Sequence, residues 1–150
     1  MRKFIFIIAA LLLALPVYSD DIPESEVPQA VRDNFYSMYN PDKVEWELEG
    51  EDYEAEFYED GKKKTVTFAP FGTMVSLKTK IETSELPAIV TGAVWGEYPE
   101  AVITEAEETI SGDITEYEIE IKNDTEEREL KYIVSNGGQI IEKTKDKKDD

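Results

Sequence analysis

Residues 46–68 read WELEGEDYEAEFYEDGKKKTVTF, and a second acidic run, TEYEIEIK, follows at 115–122. Glu47, Glu54, Glu56, Glu118 and Glu120 each stand between aromatic or aliphatic neighbours, with Tyr58 close behind the first group. Carboxylates so spaced could hold a divalent cation, act as an acid–base pair, or dock a basic protein. Calcium takes about six to eight converging oxygens from a loop with a glycine at its sharp turn. No D-x-D-x-D-G string is present. A glycosidase-like carboxylate pair needs a cleft and an acid of raised pKa, and an open strand face offers neither. Docking asks less: charge steers the encounter and aromatic side chains supply affinity.

Successive side chains on a strand point to opposite faces. Carboxylates at every second position therefore share one face. They read first as the wetted, uncovered face of a one-sided antiparallel sheet. Glu47, Glu54, Glu56, Tyr58, Glu118 and Glu120 are the candidate partner-binding residues on that face, with no catalytic residue, metal site or cofactor expected.

The chain has 150 residues, no cysteine and no histidine. Those absences exclude thiol nucleophiles, Ser-His-Asp triads and His-ligated zinc. Any stability must come from packing rather than disulfides. At the start, Arg2 and Lys3 precede an apolar run of 12 residues, Phe4–Leu15, which Pro16 ends before Val17-Tyr18-Ser19. That is the three-part pattern of a secretory signal, and the run is short for a membrane span. No cysteine follows it to carry a lipid. The expected location is periplasmic or secreted, with no membrane contact after cleavage. Without the first 19 residues, 14 basic side chains face 34 acidic ones, a net charge of −20. Such a surface repels nucleic acid and anionic lipid, and attracts basic proteins or cations.

The elements that position these residues follow from periodicity. SEVPQAVRDNFYSMY, from Ser25, is predicted helical, with Val27, Val31, Phe35 and Met38 on one face, Ser25 as cap and Asn40-Pro41 as stop. Alternating runs follow, containing Val44–Leu48, Tyr53–Phe57, Val66–Phe68 and Met74–Ile81. Asp60-Gly61 marks a hairpin. SELPAIVTGAVWGEY at 84–98 predicts a second helix with Leu86, Val90 and Val94 inward, followed by four more alternating runs. Gly92 and Gly96 suggest close packing of that helix on the sheet, and Trp95 either covers the sheet edge or is exposed. Asn123-Asp124-Thr125 fits an N-glycosylation pattern but reads better as a hairpin turn. The predicted core-facing strand residues are Trp46, Tyr53, Phe57, Val66, Phe68, Tyr117, Ile119, Ile121, Tyr132 and Val134.

The two halves match one another. SEVP at 25–28 is answered by SELP at 84–87, the Tyr39-Asn40-Pro41 stop by Tyr98-Pro99, YEAEF by YEIEI, and Phe68–Gly72 by Val134–Gly138. This paired pattern resembles the PepSY-like domains of exported bacterial proteins, which are described as similar to the β-lactamase inhibitor protein. The resemblance spans residues 24–143. It implies an α+β fold of tandem helix-plus-four-strand units, forming one curved eight-stranded antiparallel sheet with its helices on one face. It implies export, to the periplasm of a Gram-negative bacterium, and a protein-binding or inhibitory role. The inhibitor that lends the family its name binds class A β-lactamases through the free face of its sheet.

The expected organisation is a signal at 1–19, one domain at 20–143 made of repeats at 24–81 and 84–143, and a charged, frayed tail at 144–150. The expected function is a non-enzymatic, exported binding module, an inhibitor of a hydrolase among its roles, which docks an unidentified protein on the acidic and aromatic sheet face. The alternative is an acidic periplasmic protein that weakly binds or buffers divalent cations.

Overall fold

A computed structural model describes residues 19–123 and 126–145. The signal-like run at 1–18, Asp124 and Thr125 of the glycosylation-type turn, and the tail residues 146–150 lie outside the described residues, as do the side chains of 19, 20, 123–131 and 145.

Among the described residues, nine strands form one antiparallel sheet in strict sequence order. They are β1 (Ser19–Ile22), β2 (Val44–Glu49), β3 (Asp52–Glu59), β4 (Lys62–Phe68), β5 (Met74–Ile81), β6 (Val102–Ser111), β7 (Ile114–Asn123), β8 (Glu126–Ser135) and β9 (Ile140–Lys145). Helix α1 (Gln29–Met38) precedes β2 and helix α2 (Ala88–Glu97) precedes β6. The fold is α+β. Two expectations change at the ends. The sheet has nine strands rather than eight, because Ser19-Asp20-Asp21-Ile22 pairs with Trp46–Glu49. Four residues are too few for alternation to reveal a strand, so the partner β2 decides it. Thr144 and Lys145, read as tail, complete β9, where they pair with Lys131 and Leu130.

Both helices begin later than their sequence patterns suggest. Glu24–Glu26 and Thr83–Glu85 are single 3-10 turns, and the prolines Pro28 and Pro87 stand at the N-caps. A residue before proline is pushed out of the helical region. Val27 and Leu86 are accordingly extended, at ψ 131° and 134°. Ser25 therefore caps nothing. Hairpin chemistry behaves as expected at Asp60-Gly61, whose φ values of 53° and 78° are those of a primed turn matched to strand twist.

Each helix seals one half of the sheet. Val27, Val31 and Phe35 bury against Trp46, Ala55, Phe57, Val66 and Phe68. Phe35 is fully buried, with the rings of Trp46, Phe57 and Tyr39 within 5.5 Å of its own. Leu86, Val90 and Val94 bury against Ala106, Tyr117, Ile119, Ile121, Tyr132 and Val134. Of the predicted core only Tyr53 and Met38 depart. Tyr53 is half-buried against the first cluster, and Met38 is exposed at the end of α1. The glycines of α2 also depart from expectation. A Cβ at Gly92 or Gly96 would meet nothing within 4 Å, so both face away from the sheet. Trp95 is half-exposed and its Nε1 donates to the Ala101 carbonyl at 3.2 Å.

Two turns lock the helices to the strands. In the β4–β5 turn Gly72 has φ +86°, and a Cβ there would lie 2.6 Å from the Ala30 carbonyl oxygen of α1. In the β8–β9 turn Gly138 has φ +78°, and a Cβ would lie 2.8 Å from Ile89 of α2. Only glycine combines that backbone conformation with so close an approach.

Candidate docking face

With both helices on one side, no element among the described residues lies over the other face of the sheet. Register places the predicted residues there. Glu47 stands opposite Glu54, and Glu45 opposite Glu56, across β2 and β3. Tyr58 stands opposite Lys63 and is 66% exposed. Glu118 faces Glu107 and Glu120 faces Glu105 across β6 and β7. All six candidates thus share one face, but in two groups. Glu47, Glu54, Glu56 and Tyr58 lie on β2 and β3, whereas Glu118 and Glu120 lie on β7. Three strands separate them.

Two of those strands, β4 and β5, bring lysines and hydroxyls into the middle of the face, while β6 brings Glu105 and Glu107. Thr65, Thr67 and Lys63 on β4, Ser76, Lys78 and Lys80 on β5, and Glu107 on β6 line a shallow depression with Glu54 and Glu56, of about 290 Å³. Thr65 and Thr67 flank the core-facing Val66 and fall on this face by alternation. Lys63, Ser76, Lys78, Lys80 and Glu107 were missed, although the same alternation in KKKTVTF, SLKTK and EAEET carries them.

Charges in the depression are paired across strands. Lys63 Nζ lies 2.8 Å from Glu56, Lys80 Nζ 2.8 Å from Glu105, and Lys78 Nζ 3.8 Å from Glu107. The hydrogen bond from Lys80 holds the Glu105 carboxyl below its ordinary range, and the bond to Glu56 raises Lys63. A hydroxyl chain crosses the floor. Ser76 Oγ donates to Thr67 Oγ1 at 3.1 Å, and Thr67 Oγ1 donates to Glu54 Oε1 at 3.0 Å. Glu54 is the electrostatic exception. Half-burial and then a side-chain hydrogen bond with Glu49 push its carboxyl up to about 7, against the opposing bond from Thr67 and the charge of Lys78.

Such a surface offers alternating donors and acceptors to another polar surface. Its central depression is partly enclosed, and Glu54 supplies a raised acid that the sequence reading did not expect on a strand face. Among the described residues, no three Asp or Glu side chains converge in a way that could hold a metal ion.

The family model described as "Putative beta-lactamase-inhibitor-like, PepSY-like" matches residues 17–75 and 51–142. The chain belongs to this PepSY-like family. Solved structures carry the same fold. A protein of Bacteroides eggerthii described as "putative periplasmic" superposes with a TM-score of 0.73 at 19% identity, over 79% of this chain and 88% of its own. A BLIP-like protein of Bacteroides fragilis superposes with a TM-score of 0.67 at 22% identity, over 86% of this chain and 91% of its own. At such identities the likeness establishes the PepSY-like fold alone. No curated protein matches the sequence.

Proposed function

We propose that this PepSY-like protein is an exported, non-enzymatic binding module that docks another protein on the uncovered face of its sheet. The observation that carries the reading is the one-sidedness of the sheet. Both helices seal one face, and the other is left open with a polar depression at its centre. The partner surface would be zwitterionic rather than simply basic. Carboxylates on it would meet Lys63, Lys78 and Lys80, and its Lys and Arg would meet Glu47, Glu54 and Glu56 on one side and Glu118 and Glu120 on the other. Tyr58 would supply an aromatic contact at the edge. The role is occlusion of a partner, a hydrolase being the partner class suggested by the family description. The two helix-plus-four-strand halves are read as tandem copies of one unit, on the strength of the matched turns at Gly72 and Gly138. Periplasmic location is supported by the similar protein from B. eggerthii.

The test is retention of a defined partner. Residues 20–150 are immobilised and challenged with native extract of the producing organism at low and physiological salt. A Glu54→Lys, Glu56→Lys, Tyr58→Ser variant and a Lys78→Glu, Lys80→Glu variant run beside it. One protein held by the parent, and lost by both variants while they still fold, supports the reading. Equal retention by all three chains refutes it.

A further inference from the structure

The two helices pack on the sheet alike but differ on their outer faces. At matched places in the two halves, Gln29, Ala30, Asp33, Tyr36 and Ser37 of α1 correspond to Ala88, Ile89, Gly92, Trp95 and Gly96 of α2. All of these residues are exposed. The outer face of α1 is polar. Tyr36 donates to Glu24 at 3.0 Å, and Ser37 Oγ donates to the Asn34 carbonyl at 2.7 Å. The outer face of α2 is not. Residues 86–96 contain no charged side chain. Their one hydroxyl, on Thr91, is buried and donates to the Ala88 carbonyl at 3.2 Å. A helix at a protein surface carries a polar face opposite its apolar stripe, whereas one that is apolar all round is covered.

The uncovered side of α2 has a defined shape. At 3.6 residues per turn, Gly92 and Gly96 lie opposite the buried Val90 and Val94. Ile89 and Trp95 flank them, 57% and 46% exposed. The indole is fixed by its bond to the Ala101 carbonyl. Bare backbone thus forms a floor between two apolar walls. Each helical glycine costs about 1 kcal/mol relative to alanine, and among the described residues nothing fills the space over either.

Charge and symmetry choose the occupant. The chain carries a net charge of −18, which repels anionic lipid and acidic proteins. On the face of α2 two copies can meet without like charges in the contact. Each end of the helix carries a balanced ion pair, Lys62 with Glu85 at 2.6 Å before its start and Lys143 with Glu97 at 2.9 Å at its end. A twofold axis at Gly92 lays two such helices antiparallel. Ile89 then packs beside Trp95 of the partner subunit, and Ala88 beside Gly96 of the partner subunit. The Lys62–Glu85 end of one copy meets the Glu97–Lys143 end of the other, and opposite ends of the helix dipoles adjoin. A helix about 15 Å long covers less than the roughly 800 Å² per partner of a standard interface, so the pair is weak and depends on concentration.

We propose that the outer face of α2 is a self-association surface, on which a second copy of this chain docks antiparallel through Ile89, Gly92, Trp95 and Gly96. This face lies across the sheet from the open one, so the inference does not depend on the docking reading.

The experiment is sedimentation of the exported protein over a wide concentration range, beside a Gly92→Glu variant. A Cβ at position 92 has room, so the variant should melt no lower than the parent in dilute solution. The expected result is a parent mass that climbs from one chain toward two, and a dissociation constant raised about 10-fold or more by Gly92→Glu. The chain has no cysteine, so Gly92→Cys and Asp33→Cys each place a single thiol at matched positions of α2 and α1. Mild oxidation should join two copies through position 92 far faster than through position 33. A parent that stays a single chain at every concentration, a dimer unmoved by Gly92→Glu, or equal cross-linking at both positions would overturn the proposal. So would a monomeric parent that sediments with uncharged phospholipid vesicles, which would assign the face to lipid, or a Gly92→Cys chain that cross-links to a different protein in the producing cell.

Discussion

Glu54→Gln should make the protein more stable above neutral pH and leave it unchanged in mild acid. Glu54 stands opposite Glu47 and Thr67, is hydrogen-bonded to Glu49, and feels Lys78 from β5. Its carboxyl is pushed from an ordinary 4.5 up to about 7, chiefly by half-burial and then by Glu49. A raised carboxyl favours the protonated native state. Its contribution is therefore fully present below about pH 4.5 and is lost as pH rises through 7. Fully expressed, that separation would be worth about 3 kcal/mol. The side chain is about half open to water, and screening reduces this to about 1 kcal/mol. Glutamine still accepts from Thr67 and can donate to Glu49, but it never ionises. Thermal unfolding of both chains from pH 5 to pH 8 measures the effect. The variant should coincide with the parent at pH 5 and melt about 3 °C higher at pH 8. Parallel curves across that range would refute the assignment of a strained carboxyl to this position.

Other substitutions probe the packing that holds the two faces. Phe35→Ala, at the fully buried centre of the α1 cluster, should lower unfolding free energy by about 3–5 kcal/mol in urea; a loss below about 1 kcal/mol would mean the cluster collapses around the gap. Gly72→Ala should cost about 1–3 kcal/mol, because a Cβ meets the Ala30 carbonyl in a left-handed backbone. Gly92→Ala should instead raise stability by about 0.5–1 kcal/mol, since the site is helical, exposed and open. Destabilisation there would restore the close helix–sheet contact suggested by the GxxxG spacing. Millimolar calcium should leave the melting temperature within about a degree; a rise of several degrees would favour the cation-binding alternative.

Local chemistry in the sequence determined most of the scaffold. Period-two alternation from Val44 onward named every strand after β1 and assigned nearly the whole core, because a sheet sealed on one side imposes that pattern directly. Asp60-Gly61 set its hairpin because few other pairs adopt that turn. Alternation also placed Glu47, Glu54, Glu56, Tyr58, Glu118 and Glu120 on one face. It could not say that they form two groups, because that depends on how many strands intervene and what those strands carry. Lys63, Lys78 and Lys80 were assignable to the face by the same alternation, but their pairing with Glu56, Glu107 and Glu105 is a cross-strand property. Strand β1 exists because β2 offers an open edge. The outward Gly92 and Gly96 were misread because GxxxG gives spacing without direction, and the direction of a helix face is set by which stripe the sheet takes. The approach of Gly72 to Ala30 joins residues far apart in the chain, which no local pattern encodes.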